Sequence, residues 1–295
     1  MWKEKYWISS YNFVAGYAES RMGRDFFMLL YICYYTMNPK SKWTVIITWW
    51  SSGIGAGFAT EFAEQWYDLL LVAKDKNQMA TFVKYLKVLC PVTISTMLLD
   101  LSDIQQVKQL EAQIRKTDDL EVLVNCAGFG INSDFLTEDI QKREDMVTVH
   151  DIAAMRLSHE ALKIMKQKRH GNIIHVSSLA SMLALGNNPV YAASKIFLNS
   201  FSENLYWIYK DYGIYVQTLC PGFTATDFNK RGWFEAKPKA MSVEMVVRSS
   251  IASMKQKKLI CIPWWKNRLL LAVYRLLPRS RSHALYERTQ KDQKY

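Results

Sequence analysis

Residues 44–73 read TVIITWWSSGIGAGFATEFAEQWYDLLLVA. Thr44–Thr48 is a short β-branched run with no polar alternation, the pattern of a strand covered on both faces. A serine–glycine turn follows, then a helical pattern over Ile54–Tyr67, then a second apolar strand at Leu69–Ala73. Strand, glycine-bearing turn, helix and strand in this order form the unit from which parallel sheets are wound.

Outward from this unit the alternation continues. Helices are predicted at Asn77–Leu89, at Ile104–Lys116 with Ser102 as N-cap, at Ile140–Lys168 in two segments, at Tyr191–Lys210 and at Met241–Lys255. Strands are predicted at Val92–Leu99, Leu120–Asn125, Asn172–Ser177, Tyr215–Leu219 and Leu259–Ile262. The expected fold is α/β: a doubly wound, Rossmann-type parallel sheet with helices on both faces, in a single domain spanning residues 37–262. Residues 1–36 are aromatic without a period and read as an N-terminal extension, which translation from Met37 would omit.

Charge separates the tail from the body. The chain of 295 residues carries a net charge of +11, yet from Lys255 to Tyr295 eleven Lys/Arg face only Glu287 and Asp292. The body is therefore near neutral, which removes the main support for nucleic-acid binding. Residues 263–295 read as a basic amphipathic tail, with Leu269, Leu270, Val273, Leu276 and Leu277 on one helical face. That face is expected to pack on its own domain or on a partner subunit of a homo-oligomer; docking on a membrane surface is the alternative. Five scattered cysteines show neither metal-ligand spacing nor a disulfide framework, and the apolar run Phe26–Tyr35 is shorter than a membrane span. A cytoplasmic protein, at most peripheral to a membrane, is expected.

The chemistry concentrates in Ser178 and in Tyr191-Ala-Ala-Ser-Lys195. Tyr191 and Lys195 are four apart and share a helix face. A phenol ordinarily titrates near pH 10, so it works near neutrality only where something stabilises its anion. An ammonium one turn away does this, and Ser178 at the end of a strand can hydrogen-bond a substrate oxygen as charge develops on it. A Tyr-x-x-x-Lys pair alone is ordinary on surface helices; the buried strand ending in Val-Ser-Ser just upstream gives it meaning.

At these residues the chain resembles the short-chain dehydrogenase/reductase family over about residues 43–262, most closely its 3-oxoacyl and ketosteroid reductase branch. The resemblance implies catalytic roles for Ser178, Tyr191 and Lys195, with His150 where the family has the asparagine that supports a proton-relay water. It implies cofactor contacts from Thr48, Ser51, Ser52, Gly53, Ile54 and Gly55 in the first turn, and from Lys74 and Asp100 near the adenosine. It also implies contacts from Cys126-Ala127-Gly128, Tyr191 and Lys195, Pro221-Gly222, and Thr226 at the nicotinamide. After the second strand stand Ala73 and Lys74 rather than an acid, so nothing repels a 2′-phosphate and an ammonium can attract it. NADP(H) is therefore expected over NAD(H).

The implied reaction is hydride transfer between nicotinamide and the carbonyl or alcohol carbon of an apolar ketone, alcohol or acyl substrate. The alternative is a non-catalytic nucleotide-sensing or scaffold protein with a blocked cofactor loop. It is raised by Trp49, which replaces the family's first loop glycine. Trp66, where the family ends its first helix in glycine, and Trp264-Trp265, after Pro263, likewise stand where glycine is expected. Ten tryptophans accompany only 12 glycines, about 4% against a usual ~7%. One hypothesis accounts for Trp49, Trp50, Trp66, Trp264 and Trp265 together: UGA codons that the source organism reads as glycine, rendered here as tryptophan. The other is that they are true tryptophans in a rebuilt loop.

Overall fold

A computed structural model describes residues 43–48, 53–131, 133–183, 188–226 and 240–276. Trp49, Trp50, Ser51, Ser52 and the extension at residues 1–36 lie outside the described residues. Seven parallel strands form one sheet in the order β3-β2-β1-β4-β5-β6-β7. They are β1 Thr44–Thr48, β2 Asp68–Ala73, β3 Ile94–Leu98, β4 Leu120–Asn125, β5 Gly171–Val176, β6 Ile214–Leu219 and β7 Ile260–Cys261. The helices are α1 Gly53–Glu64, α2 Lys76–Leu89, α3 Ile104–Ile114, α4 Ile140–Val147, α5 Ala154–Lys168, α6 Pro189–Tyr209, α7 Val243–Lys255 and α8 Trp265–Leu276.

The continuous apolar character of the strands follows from this layering. Val45, Ile47, Leu69, Leu71, Val122 and Val124 face α1, α2 and α7 on one side. Ile46, Leu70, Val72 and Leu123 face α3 and α5 on the other. Successive side chains point to opposite faces, so a strand buried on both sides has no polar position to spare. β3 is the exception: as the edge strand it is half exposed, and it is shorter than predicted.

Three local expectations are corrected. Ser102 does not cap α3. Asp103 does, accepting from the Gln105 amide at 2.8 Å, while the Ser102 hydroxyl donates to Asp100 at 2.7 Å. The two predicted segments over Ile140–Lys168 run on without a break, joined by a π-helical stretch, Thr148–Ala153. The extra residue in such a stretch commonly marks a functional site, and His150 lies within it. In α8 the predicted apolar face does not pack on the domain. Leu271 is buried, whereas Leu269, Leu270, Val273 and Leu276 face outward. Among the described residues no helix is long and apolar enough to cross a membrane.

Of the tryptophans at expected glycine positions, Trp66 (φ 70°) and Trp264 (φ 66°) lie in the left-handed region that favours glycine. Trp265 does not: it is the first residue of α8, with an ordinary helical backbone.

Candidate active site

The C-terminal ends of β1, β4, β5 and β6 converge, and the turns that leave them bring the predicted residues together. Thr48 ends β1, and its hydroxyl accepts the Cys126 and Ala127 amides, each at 3.1 Å, while donating to Val124 at 3.4 Å. Its side chain thus ties the first turn to the β4 turn. Gly53 opens α1 at φ 64°, and a Cβ there would meet the Thr226 methyl at 2.8 Å. Only glycine allows this crossing of the first turn and the loop after β6. Ile54 packs on the core and Gly55 is buried beneath it. Pro221 accepts the Leu179 amide at 3.0 Å, which joins the loop after β6 to the turn that carries Ser178.

Tyr191 enters on the first turns of α6, which begins two residues earlier than predicted because Asn188 caps it and Pro189 suits a first-turn position. The Ser178 hydroxyl stands beside the Tyr191 hydroxyl, close enough to favour its anion. The Ser178 oxygen also accepts the Ala180 amide at 3.1 Å, which fixes its rotamer. Lys195 is buried, its Nζ 5.6 Å from the centre of the Tyr191 ring and donating to the Val176 carbonyl at 3.0 Å.

The electrostatics refine the expectation for the tyrosine. Burial pushes the Tyr191 phenol above its ordinary value, and the Ser178 hydroxyl works against that rise. Lys195 is itself brought down to about 8 by burial, so part of its charge is absent at mildly alkaline pH. The Lys195 ammonium gives one N–H to Val176 and keeps two further donors and its charge 5.6 Å from the centre of the phenol ring. Cys126 is held up at about 12 by burial, which makes its thiol inert.

His150 is fully engaged. The Phe129 amide donates to Nε2 at 3.0 Å, and Nδ1 lies 2.9 Å from the Ser194 hydroxyl, which donates to the Tyr191 carbonyl at 2.8 Å. Only one tautomer fits this order, with the proton on Nδ1. Burial and the Lys195 charge push its pKa well below the ordinary value, so it stays neutral. Gly128 makes the approach possible, since a Cβ there would meet Nε2 at 2.8 Å. His150 therefore ties the β4 turn to α6, with both ring nitrogens engaged. Beside it a small cavity is lined by Thr48, Asn125 and Ala127, and the Asn125 Oδ1 is buried without a partner. An orphan acceptor of this kind suits an ordered water.

Ser194 was not singled out in the sequence, although its spacing of three from Tyr191 places it on the same helix face. Lys74 and Asp100, read as separate contacts near the adenosine, form an ion pair with each other across the ends of β2 and β3. Burial alone would raise the Asp100 carboxyl, but hydrogen bonds from Lys74 and Ser102 outweigh it and hold the pKa below the usual value.

The chain matches the short chain dehydrogenase family over residues 43–235. It is 29% identical over 216 residues to 3-ketodihydrosphingosine reductase of Bos taurus, a match covering 68% of this chain and 63% of the relative. It is 28% identical over 203 residues to an NADP-dependent 3-hydroxy acid dehydrogenase of Schizosaccharomyces pombe, covering 68% of this chain and 78% of that one. Among solved structures, a short-chain dehydrogenase from Sphingobium yanoikuyae in complex with NADPH superposes with a TM-score of 0.73 at 26% identity. That superposition covers 85% of this chain and 95% of the other. The chain thus spans less than two thirds of the length of the bovine reductase. The seven-stranded sheet, the Ser178–Tyr191–Lys195 constellation and the family match agree: the chain belongs to the short-chain dehydrogenase/reductase family of oxidoreductases.

Proposed function

We propose that the protein is an NADP(H)-dependent reductase or dehydrogenase acting on the carbonyl or alcohol carbon of an apolar small molecule. The single observation that carries this is the meeting of the Ser178 and Tyr191 hydroxyls, with the Lys195 Nζ 5.6 Å from the centre of the phenol ring. A dinucleotide suits the residues around them: α1 begins at Gly53, directly after the turn that leaves β1, and helix N-termini favour phosphate. When bound, the nicotinamide supplies or takes the hydride.

In the reductive direction Tyr191 donates its hydroxyl proton to the carbonyl oxygen, and Ser178 hydrogen-bonds the same oxygen as negative charge grows on it. Lys195 steadies the resulting phenolate by charge. His150 acts through Ser194 and the β4 turn, as a positioning residue that keeps Tyr191 in register. For the cofactor, Lys74 supports NADP(H), because an ammonium after β2 attracts a 2′-phosphate where an acid would repel it. The names of the fission-yeast relative and of the Sphingobium complex point the same way. A purely scaffolding role has no use for a buried lysine aligned with two adjacent hydroxyls.

Tyr191→Phe tests the proposal, with NADPH oxidation followed against a panel of apolar ketones and NADPH binding by calorimetry. Turnover should fall by roughly 10²–10⁴-fold, the usual contribution of a general acid, with binding within a few-fold of wild type. A variant retaining a tenth of wild-type kcat would remove Tyr191 from the role of acid.

A further inference from the structure

Helix α8, WKNRLLLAVYRL, contains no acidic residue. Its inner side is held to the domain by Leu271, which is buried, and by Asn267, whose amide donates to Pro263 at 3.0 Å. Asn267 also lies against Gly222 of the loop after β6, its Nδ2 2.9 Å from where a Cβ would sit. The opposite side is apolar and exposed: Trp265 (62%), Leu269 (56%), Val273 (47%) and Leu276 (84%). Their spacing of four, four and three puts them in one stripe along the helix. Arg268 and Arg275 run along one edge of that stripe, and Lys266 stands on the other, all three exposed.

An apolar stripe between two cationic margins suits a helix lying in a bilayer interface, where the stripe enters the acyl boundary and the cations reach anionic headgroups. Beyond α8 the sequence adds Arg279, Arg281, Arg288, Lys291 and Lys294 against only Glu287 and Asp292. A second copy fits the stripe less well, because a two-fold contact would set the same cations against each other. We propose that the outward stripe of α8, Trp265–Leu269–Val273–Leu276 with its flanking Lys266, Arg268 and Arg275, is a docking surface for an anionic lipid bilayer. Because the inner side of the helix touches Gly222, docking would bring the Pro221–Gly222 end of the active site close to the lipid. The inference stands on surface chemistry and does not depend on the proposed reaction.

The test uses the full chain with vesicles of phosphatidylcholine alone and of phosphatidylcholine mixed with phosphatidylserine, read by co-sedimentation. The chain should sediment with the mixed vesicles, release as salt rises, and stay in solution with phosphatidylcholine alone. Leu269→Glu with Val273→Glu should lower the partition coefficient at least tenfold, since each position loses burial of a large apolar side chain. Lys266→Gln with Arg275→Gln should lower it about tenfold or more, at roughly fivefold per cation near an anionic surface. Circular dichroism confirms that each variant is folded, which surface substitutions of this kind should preserve. Absence of sedimentation, or sedimentation unchanged by both pairs of substitutions, overturns the proposal. So does loss of an oligomer, by light scattering, in the double-glutamate variant of a chain that ignores vesicles: the stripe would then be a subunit contact.

Discussion

Replacing Trp66 by alanine and, separately, by glycine isolates the backbone term at the end of α1. The helix closes in a double turn: the Tyr67 amide donates to the Phe62 carbonyl at 3.1 Å and the Trp66 amide to Ala63 at 3.0 Å. This is the Schellman pattern, with Trp66 at the left-handed position, φ 70°. The apolar contact that accompanies the motif is present as well, Phe62 and Tyr67 meeting edge-on with ring centres 5.5 Å apart. Both variants lose the indole, so the packing it makes cancels between them. What remains is the left-handed cost of a Cβ, roughly 1–2 kcal/mol, set against the greater freedom that glycine gives the unfolded chain, roughly 0.4–1 kcal/mol. Trp66→Gly should therefore be the more stable of the two by about 1 kcal/mol, a difference of roughly 2–4 °C in Tm for a domain near this size. Urea unfolding and thermal melts followed by circular dichroism read both quantities. Equal stability, or a more stable alanine variant, would refute the argument that this backbone wants glycine. Peptide mass spectrometry of the protein from its source complements it: a glycine mass at Trp66 and Trp264 supports recoding, and a tryptophan mass ends it.

Two further outcomes are expected. Lys74→Asp removes the ion pair with Asp100 and sets two carboxylates together; the ratio of kcat/KM for NADPH to that for NADH should fall roughly tenfold to a hundredfold, the worth of one charged hydrogen bond, and an unchanged ratio would mean that another residue reads the 2′-phosphate. His175 is buried between Ser158 (2.9 Å) and Ser202 (2.8 Å), and burial pushes its pKa down to about 3. The unfolded chain takes up a proton below about 6.5 that the folded chain refuses until about 3, so this stability is complete above 6.5 and is lost as pH falls. The unfolding free energy of wild type relative to His175→Gln should accordingly drop by about 1.4 kcal/mol per pH unit between pH 6 and 4.5; a constant difference across that window would show that His175 does not stay neutral in the fold.

Much of the architecture was legible because it rests on local chemistry. β-branched runs without alternation, as in Thr44–Thr48 and Leu69–Ala73, can be buried only on both faces, and strands of that kind separated by helices leave a wound parallel sheet as the solution. Tyr191 and Lys195 share a face because a helix repeats every 3.6 residues, and Ser178 follows a strand whose partners lie beside it. None of this needs knowledge of what lies across the sheet.

What tertiary structure alone decided were the contacts between residues far apart in the chain. His150 was placed near the site, but only the meeting of the π-helical stretch, the β4 turn and α6 shows that both ring nitrogens are spent, on Phe129 and on Ser194. Lys74 and Asp100 were each assigned to the cofactor, yet the ends of β2 and β3 bring them into one ion pair. The stripe on α8 was visible as a face, while its direction was not. Periodicity says which side chains stand together on a helix; which side turns inward depends on what the domain offers, and here Gly222 meets Asn267, Leu271 is buried, and Leu269 and Val273 are left outside.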